Sequence, residues 1–176
     1  MDKLKLITPS KEYSKQILSY RKEFLDNNDS MDGTSTLKKF EVIDEWFEWV
    51  KNNGHAETCA PGWVPDTQFL CIRQSDDRLV GMVDVRHILN DYLLNFGGHI
   101  GYSIRKSERN KGYAKEQLRL ALLEGKKLGL ERVLVTCYKD NIASQKVILA
   151  LGGVLEDEAY DESDASITQR YWIDNH

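Results

Sequence analysis

The chain has 176 residues, 41% of them hydrophobic, and a formal net charge of −4. A chain of this length can bury one substantial core, and its interleaved charges form no basic stripe, so we predict a single domain over residues 1–176 with no nucleic-acid partner. No apolar run approaches the roughly 20 residues that cross a bilayer, and the three cysteines lack metal-ligand spacing. The sequence therefore predicts a soluble, cytoplasmic protein without a membrane partner, a disulfide framework or a metal.

The first third of the chain predicts one strand and two helices. Residues 3–8 alternate as a strand, and residues 10–25 have helical spacing that begins with a serine at the N-cap position. A second amphipathic helix is marked by apolar residues at helical intervals, namely Phe40, Ile43, Phe47 and Val50. We expect these apolar faces to pack against a sheet.

The next segment predicts an irregular loop followed by a hairpin. Residues 52–66 contain two glycines, two prolines and the aromatic Trp63, without apolar periodicity. Residues 68–73 and 79–88 are both β-compatible and are separated by a polar turn, so we predict an antiparallel pair. The loop is expected to be a surface connection, with a lid over a binding site as the alternative.

A basic turn joins a short strand to a helix in the middle of the chain. Residues 98–104 are apolar and β-compatible, and the helical spacing from residue 115 onward follows a turn that contains Gly112. The first N–H groups of a helix lack intrahelical partners and attract phosphate, so the turn predicts a diphosphate-binding site. Neither GxxxxGK[ST] nor a helix-opening GxGxxG is present, which excludes the two best-known phosphate motifs.

A second strand and helix follow at residues 133–138 and from Asn141 to the glycine pair at 152–153. Arg109-x-x-Gly112-x-Ala114 resembles motif A of the GNAT acetyltransferases, and the spacing of Asn141, Ser144 and Gly152 resembles their motif B. The order of elements agrees over about residues 79–173, and the specific motifs lie within about 98–154, the expected cofactor-binding core.

The resemblance implies an α+β fold. We expect a central, mostly antiparallel twisted sheet of about seven strands, with a parallel central pair and helices on both faces. Residues 154–159 and 167–173 would complete the sheet as a C-terminal antiparallel pair. The acidic segment 156–164 is expected to be a solvated loop, and a loop near the acceptor entrance that attracts cationic amines is the alternative.

The resemblance also implies that acetyl-coenzyme A is the cosubstrate. Backbone amides of the turn would hold the pyrophosphate, an N–H near Ile104 would stabilise the thioester oxygen, and motif B would fix the pantetheine arm. The expected cofactor-binding residues are Ile104, Arg109, Asn110, Lys111, Gly112, Tyr113, Ala114, Asn141, Ser144 and Lys146.

The amine must lose a proton before it attacks, and the sequence offers two candidates on one strand. His99 has a suitable reference pKa and lies where relatives often carry a glutamate. Strand alternation places His99 and Tyr102 on opposite faces, so Tyr102 would be the polar group at the site, and His99 structural, if the even-numbered face is turned toward the acceptor.

The sequence departs from the family where a tyrosine near the cofactor sulfur is usual, seven residues after Asn141, because that position is Ile148. Tyr138 and Tyr171 are possible substitutes, each with packing in a strand as the simpler interpretation. Cys137 is a poor nucleophile candidate because its strand is apolar.

The predicted function is an acetyl-coenzyme A-dependent N-acetyltransferase that modifies a primary amine of a small molecule, peptide or protein by direct attack in a ternary complex. The alternative is an acyl-coenzyme A-binding regulatory module with little turnover, which the isoleucine at 148 would permit. The expected assembly is a monomer or a homodimer.

Overall fold

The computed structural model describes residues 2–176, which form seven strands and four α-helices. The strands are β1 (Leu4–Ile7), β2 (Asp66–Arg73), β3 (Arg78–Arg86), β4 (Ile100–Ile104), β5 (Arg132–Tyr138), β6 (Val154–Asp161) and β7 (Ser166–Asp174). The helices are α1 (Ser14–Asp26), α2 (Ile43–Asn53), α3 (Tyr113–Lys127) and α4 (Ile142–Leu149). The predicted number of strands and the mixed α/β class are confirmed.

The strands form two sheets rather than one. The first has the order β1-β2-β3-β4 and the second the order β5-β7-β6, and every strand pairing within residues 2–176 is antiparallel. The prediction of a parallel central pair was therefore wrong. β4 and β5 are neighbours that separate instead of forming a ladder, and a backbone hydrogen bond of 2.7 Å from His99 N–H to Leu134 O joins the chain at the start of β4 to β5.

Helices cover both faces of the first sheet, which explains the nearly continuous apolar sequences of its middle strands. α1 and α2 pack Tyr20 and Trp46 against Leu70 of β2 on one face. α3 packs Leu118 on the other, in a cluster with Phe69 and with residues of the second sheet. Since successive strand residues point to opposite faces, a strand that is buried on both needs apolar residues at almost every position.

The acidic segment near the C-terminus is mostly strand. Residues 156–161 lie in β6, at the outer edge of the second sheet, which confirms the strand predicted over 154–159 and makes the loop predicted over 156–164 wrong for this part. Basic residues balance the acidic charge, because Arg170 of the adjacent β7 pairs with Glu156 and Asp157, and Lys139, which follows β5, pairs with Glu158.

No helix within residues 2–176 combines the length and the apolar content that crossing a membrane requires.

Candidate active site

A cleft opens where the two sheets separate. Its walls are the outer edge of β4, the start of α3, the start of α4 and part of the loop between α1 and α2, and its volume is about 520 Å³. We call it the main cleft. Among the residues that line it are Tyr102, Ile104, Arg109, Asn110, Gly112, Tyr113, Ala114, Asn141 and Ser144, all of which the sequence predicted as site residues.

The turn before α3 presents a series of free backbone donors to this cleft. The first backbone hydrogen bond of the helix runs from Glu116 N–H to Gly112 O, and within residues 2–176 the N–H groups from 110 to 115 donate to no protein acceptor. Asn110 and Gly112 have φ angles of 62° and 79°, in the left-handed region. Glycine adopts this conformation without a Cβ clash, and the resulting turn points successive N–H groups outward, an arrangement that suits an anion.

The basic side chains of the turn do not all face the cleft. Arg109 donates from Nε to Ile104 O at 2.9 Å and pairs with Asp29 at 3.0 Å, so it braces the turn against β4 and the α1–α2 loop. Lys111 is drawn away by Glu108, 2.8 Å from its ammonium, and neither it nor the exposed Lys146 is among the cleft-lining residues. Lys115, which the sequence analysis passed over, lines the cleft instead.

The edge of β4 contributes a second set of backbone groups. Hydrogen bonds from Arg105 N–H to Val80 O and from Arg86 N–H to His99 O show that the odd-numbered residues of this segment pair with β3. Antiparallel pairing alternates, so the N–H groups of Tyr102 and Ile104 are turned away from β3, toward the main cleft. Ile104 therefore has the position that the sequence analysis expected for a donor to an acyl oxygen.

The start of α4 is held by its own side chain. Asn141 caps the helix, since its Oδ1 accepts from Ser144 N–H at 3.1 Å. The Ser144 hydroxyl in turn lies 2.8 Å from the Tyr102 hydroxyl, which joins α4 to β4 across the cleft. Burial raises the pKa of Tyr102 to about 12, so its phenol is protonated at neutral pH and can act as a donor.

His99 is a structural residue in this arrangement. It is 7% exposed, and its Nδ1 accepts from Leu134 N–H at 2.9 Å. Burial, and secondarily the charge of Arg86, lower its pKa to about 4. A neutral imidazole whose Nδ1 accepts a hydrogen bond carries its proton on Nε2, which leaves no lone pair to receive a proton from an amine. The structure thus disfavours His99 as a base and turns the face that carries Tyr102 toward the cleft.

A smaller cavity continues from the main cleft toward the second sheet. It shares Tyr102, Asn141 and Ser144 with the main cleft and is also lined by Cys137 and Asp161. We call it the junction cavity. Burial raises the pKa of Cys137 to about 11, which keeps its thiol protonated and supports the expectation that it is a poor nucleophile.

The two tyrosines proposed as substitutes for a cofactor-proximal tyrosine differ in place. Tyr138 lines the junction cavity, but its hydroxyl donates to Asp164 at 3.0 Å. Tyr171 is buried and donates to Gln169 at 2.6 Å. Ile148 is fully buried in the core. Tyr102, close to Ser144, is thus the tyrosine that reaches both the main cleft and the junction cavity.

A third cavity adjoins the junction cavity and is lined by side chains from four separate segments. We call it the outer cavity; its lining includes Trp63, Asp66, Asp84, Arg86, Tyr92 and Leu93. Asp32 lines the main cleft, the junction cavity and the outer cavity, and therefore marks the point at which they meet. Its backbone oxygen accepts from Ser103 Oγ at 2.5 Å, which ties the α1–α2 loop to β4.

The α1–α2 loop, including Asp29 and Asp32, contributes to the site although the sequence did not predict it. A signal was present, because the segment around Gly33 is rich in Asn, Asp, Ser and Gly, the residues of tight turns. Gly33 has a φ of 71°, and a Cβ at this position would overlap the backbone of Gly101. The glycine thus permits the close approach that carries Asp32 to the site.

Within the part of the chain that the structure describes, residues 2–176, no three His, Cys, Asp or Glu side chains are grouped so that they could hold a metal ion.

Comparison with known proteins places this site in a family. The sequence profile described as "Acetyltransferase (GNAT) domain" matches residues 21–154. A curated relative, the uncharacterized N-acetyltransferase YnaD of Bacillus subtilis (strain 168), is 34% identical over 89 residues. That alignment covers 48% of this chain and 48% of the relative, so it spans about half the length of the relative.

Solved structures show the same fold. A spermidine/spermine N-acetyltransferase, SpeG, from Vibrio cholerae has a TM-score of 0.68 at 16% identity, with 98% of this chain and 94% of that chain covered. RimL, a ribosomal L7/L12 alpha-N-protein acetyltransferase solved in complex with coenzyme A, has a TM-score of 0.68 at 17% identity, with 98% and 96% covered. At these identities the likeness establishes the fold alone.

Proposed function

The chain belongs to the GNAT acetyltransferase family, and we propose that it transfers an acetyl group from acetyl-coenzyme A to a primary amine by direct attack in a ternary complex. The observation that carries this proposal is that the main cleft meets the junction cavity at Tyr102 and Ser144, and that both meet the outer cavity at Asp32. The main cleft, with its free backbone N–H groups, suits the anionic donor, and the outer cavity, with its carboxylates, suits a cationic acceptor.

The main cleft fits the donor in its backbone chemistry. The free N–H groups from 110 to 115 would hold the diphosphate, and Asn141 and the open edge of β4 would fix the pantetheine arm. Acetyl-coenzyme A, when bound, supplies the acetyl thioester. The Ile104 N–H is the backbone donor that we assign to the acyl oxygen, since it is turned away from β3 toward this cleft.

The acceptor amine must be deprotonated, and Asp32 is the group that we assign to this task. An amine of pKa about 10.4 is largely protonated at pH 7, which is a handicap of about 4.6 kcal/mol. Asp32 lies where the three cavities meet, and Ser30 Oγ donates to its Oδ2 at 2.8 Å, which leaves Oδ1 to receive the proton directly or through a water.

The Tyr102 and Ser144 hydroxyls are the donors that we assign to the leaving thiolate. A coenzyme A thiol resembles cysteine, with a pKa near 8.5, whereas that of Tyr102 is raised to about 12. Full proton transfer from the phenol is therefore uphill. Tyr102, oriented by Ser144, stabilises the negative sulfur with a hydrogen bond, and solvent completes the protonation.

The test is coenzyme A release from acetyl-coenzyme A across a panel of amines, amino sugars and short peptides, with product identified by mass spectrometry. We expect acceptor-dependent release that is lost in Asp32→Asn but retained in Glu162→Gln, a control on an exposed acid outside the three cavities. Tight binding of acetyl-coenzyme A with no release in any case would favour the alternative of a regulatory binding module. The single-domain organisation and the monomeric or homodimeric state remain predictions.

A further inference from the structure

The outer cavity contains a buried carboxylate without a cationic partner. Asp66, the first residue of β2, is 9% exposed, and its side chain lines the cavity. Ser35 Oγ donates to Oδ2 at 3.0 Å, whereas Oδ1 accepts no hydrogen bond from another residue within 2–176, and no Lys, Arg or His lies within ion-pair distance. Burying an ionised carboxylate costs folding free energy unless a positive group pairs with it.

The adjacent arginine does not serve this purpose. Arg86 pairs with Asp84 at 3.3 Å and donates from Nη1 to Gly97 O and Gly98 O, so its guanidinium is engaged on the side of β4. Asp84 also accepts from Gly101 N–H at 3.0 Å. Asp84 is thus partnered by protein groups, whereas Asp66 lines the outer cavity with one carboxylate oxygen that no other residue within 2–176 pairs with.

Two aromatic side chains line the outer cavity together with Asp66 and form its aromatic wall. Trp63 is 47% exposed and is held edge-on against Trp49, with ring centroids 5.2 Å apart. Tyr92, in the segment before β4, is also exposed. Aromatic faces attract cations and cover methylene groups, so this wall suits an alkylammonium group better than a metal ion or an uncharged sugar.

Asp66 is separated from the reaction centre. It lines neither the main cleft nor the junction cavity, in contrast to Asp32, which lines all three. A group bound at Asp66 is therefore a different part of the acceptor from the nitrogen that is acetylated near Tyr102.

We propose that Asp66 and Trp63 form a distal subsite that binds a second cationic group of the acceptor and so selects amines with two positive charges. This inference rests on the proposed function and deepens it by naming the acceptor class. The charge can belong to a small diamine or to a basic side chain next to a peptide N-terminus, and the two sources are separate arms of the test.

The subsite predicts a pH dependence of acceptor binding. Burial and the charge of Asp84 raise the pKa of Asp66 to about 7; Arg86 and Cys59 are also near it, and Asp32 lines the same cavity. A cationic group binds the ionised carboxylate, so KM for a dicationic acceptor should fall as pH rises through 7.

The experiment compares matched acceptors in wild type and Asp66→Asn, a substitution that keeps the shape and the contact with Ser35. One pair is butylamine and 1,4-diaminobutane; the other is alanyl-norleucine amide and alanyl-lysine amide. We expect a preference of about tenfold or more in kcat/KM for the dicationic member of at least one pair, expressed in KM, which corresponds to about 1.4 kcal/mol. Asp66→Asn should abolish this preference and its pH dependence while turnover of the monocationic member is unchanged.

The outcomes separate the two proposals. No preference in wild type, or a preference that survives in Asp66→Asn, overturns the subsite while leaving the acetyltransferase intact. A loss of kcat for both members also overturns it, because it would place Asp66 in the chemistry. No turnover of any amine is the failure of the proposed function. Folding is checked by the thermal midpoint, which Asp66→Asn should raise at pH 8 and raise by less at pH 5, since the cost of the buried carboxylate falls as pH drops from 7 toward 3.8.

Discussion

The main cleft and the outer cavity are built in opposite ways. The main cleft takes its donors from the backbone of one continuous segment, residues 104–115, and from the start of α4. The outer cavity takes side chains from the α1–α2 loop, the loop before β2, strand β3 and the loop before β4. Donor recognition thus depends on local chain geometry, whereas acceptor recognition depends on side chains that only the tertiary fold brings together.

This difference predicts two kinds of mutational response. Changes of backbone conformation should damage the main cleft and spare the outer cavity, and side-chain truncations should do the reverse. Groups between the two regions, at Tyr102 and Ser144, should affect turnover without affecting the affinity of either substrate. The predictions below test this division.

The largest effect is expected at the boundary between the two regions. Tyr102→Phe removes the hydroxyl that lies 2.8 Å from Ser144 Oγ, and we expect kcat to fall about 100-fold, the scale of losing one hydrogen-bond donor to developing negative charge. Because the ring is retained, the dissociation constant for coenzyme A should change by less than about twofold, or 0.4 kcal/mol. Steady-state kinetics and calorimetric binding measure the two quantities.

Tyr138→Phe is the matched control, since this tyrosine also lines the junction cavity but donates to Asp164. The kcat of Tyr138→Phe should stay near that of wild type. Equal losses in both variants would mean that the polarity of the cavity, rather than a specific donor, governs turnover.

The next effect tests the backbone side of the comparison. Gly112→Ala places a Cβ at a φ of 79° in the turn that presents the free N–H groups, and Gly129→Ala does the same at a φ of 80° beyond the end of α3. Each should lower the free energy of unfolding by about 1 kcal/mol. Only Gly112→Ala should weaken coenzyme A binding, by about tenfold.

Chemical denaturation and calorimetry measure these effects. The two variants carry similar backbone strain, because their φ angles are nearly equal and nothing would contact a Cβ at Gly129 within 4 Å. A difference between them in coenzyme A affinity therefore reports the geometry of the turn at Gly112. Similar affinities for coenzyme A in the two variants would argue against a diphosphate site at the turn.

A smaller effect is expected at the cap of α4. Asn141→Ala removes the acceptor for Ser144 N–H and should cost about 1 kcal/mol of stability, whereas Asn141→Ser keeps an oxygen acceptor at the N-cap and should cost little. If Asn141 also holds the pantetheine arm, both variants should bind acetyl-coenzyme A about fivefold more weakly, or by about 1 kcal/mol. Thermal unfolding and calorimetry separate the two roles; normal affinity in Asn141→Ser would reduce Asn141 to a cap.

The smallest catalytic effect is expected at His99. Asn at this position can accept from Leu134 N–H without titrating, so kcat at pH 7.5 should stay within about twofold of wild type. The folded protein holds the His99 pKa at about 4, below the ordinary histidine value of 6.5, so the unfolded chain binds more protons in this interval. Wild-type stability should therefore decline as pH falls from 6.5 to 4, and His99→Asn should show a weaker decline.

Thermal midpoints of wild type and His99→Asn across this pH range measure the difference. His87→Asn is the control, because His87 is a half-buried histidine and burial lowers its pKa as well. A large loss of kcat in His99→Asn with an unchanged stability profile would restore His99 as a base.

Local patterns made much of the fold predictable. The helices and the β2–β3 hairpin follow from apolar periodicity and polar turns, and the boundaries are close to those predicted. The division into two sheets was not predictable, because it depends on β4 and β5 separating after the contact between His99 and Leu134. The strand predicted over 154–159 is present, but its acidic residues were also expected to form a loop, because no local pattern reveals that Arg170 of β7 and Lys139 balance their charge.

The residues of the candidate site likewise divide into those that a local pattern predicts and those that it does not. Gly112, Ala114, Asn141 and Ser144 were predictable because each acts within a strand–turn–helix unit. Lys111 and Lys146 were assigned from the family resemblance; neither lines the main cleft, and Lys111 pairs with Glu108. Asp66 carries no local signal, and for Asp32 the turn-rich composition around Gly33 predicts a tight turn but no role; both roles depend on segments that only the tertiary fold brings together.

The close packing of Gly33 against β4 has a consequence for how this protein can evolve. Because a larger residue at this position would overlap Gly101, the loop that carries Asp32 is fixed in place relative to the sheet. The segments around Trp63 and Tyr92 instead present these two side chains at the surface of the outer cavity. A lineage can therefore change these exposed side chains and acquire new acceptors while the reacting groups stay where they are. In this architecture, substrate range can change during evolution without a change in catalytic chemistry.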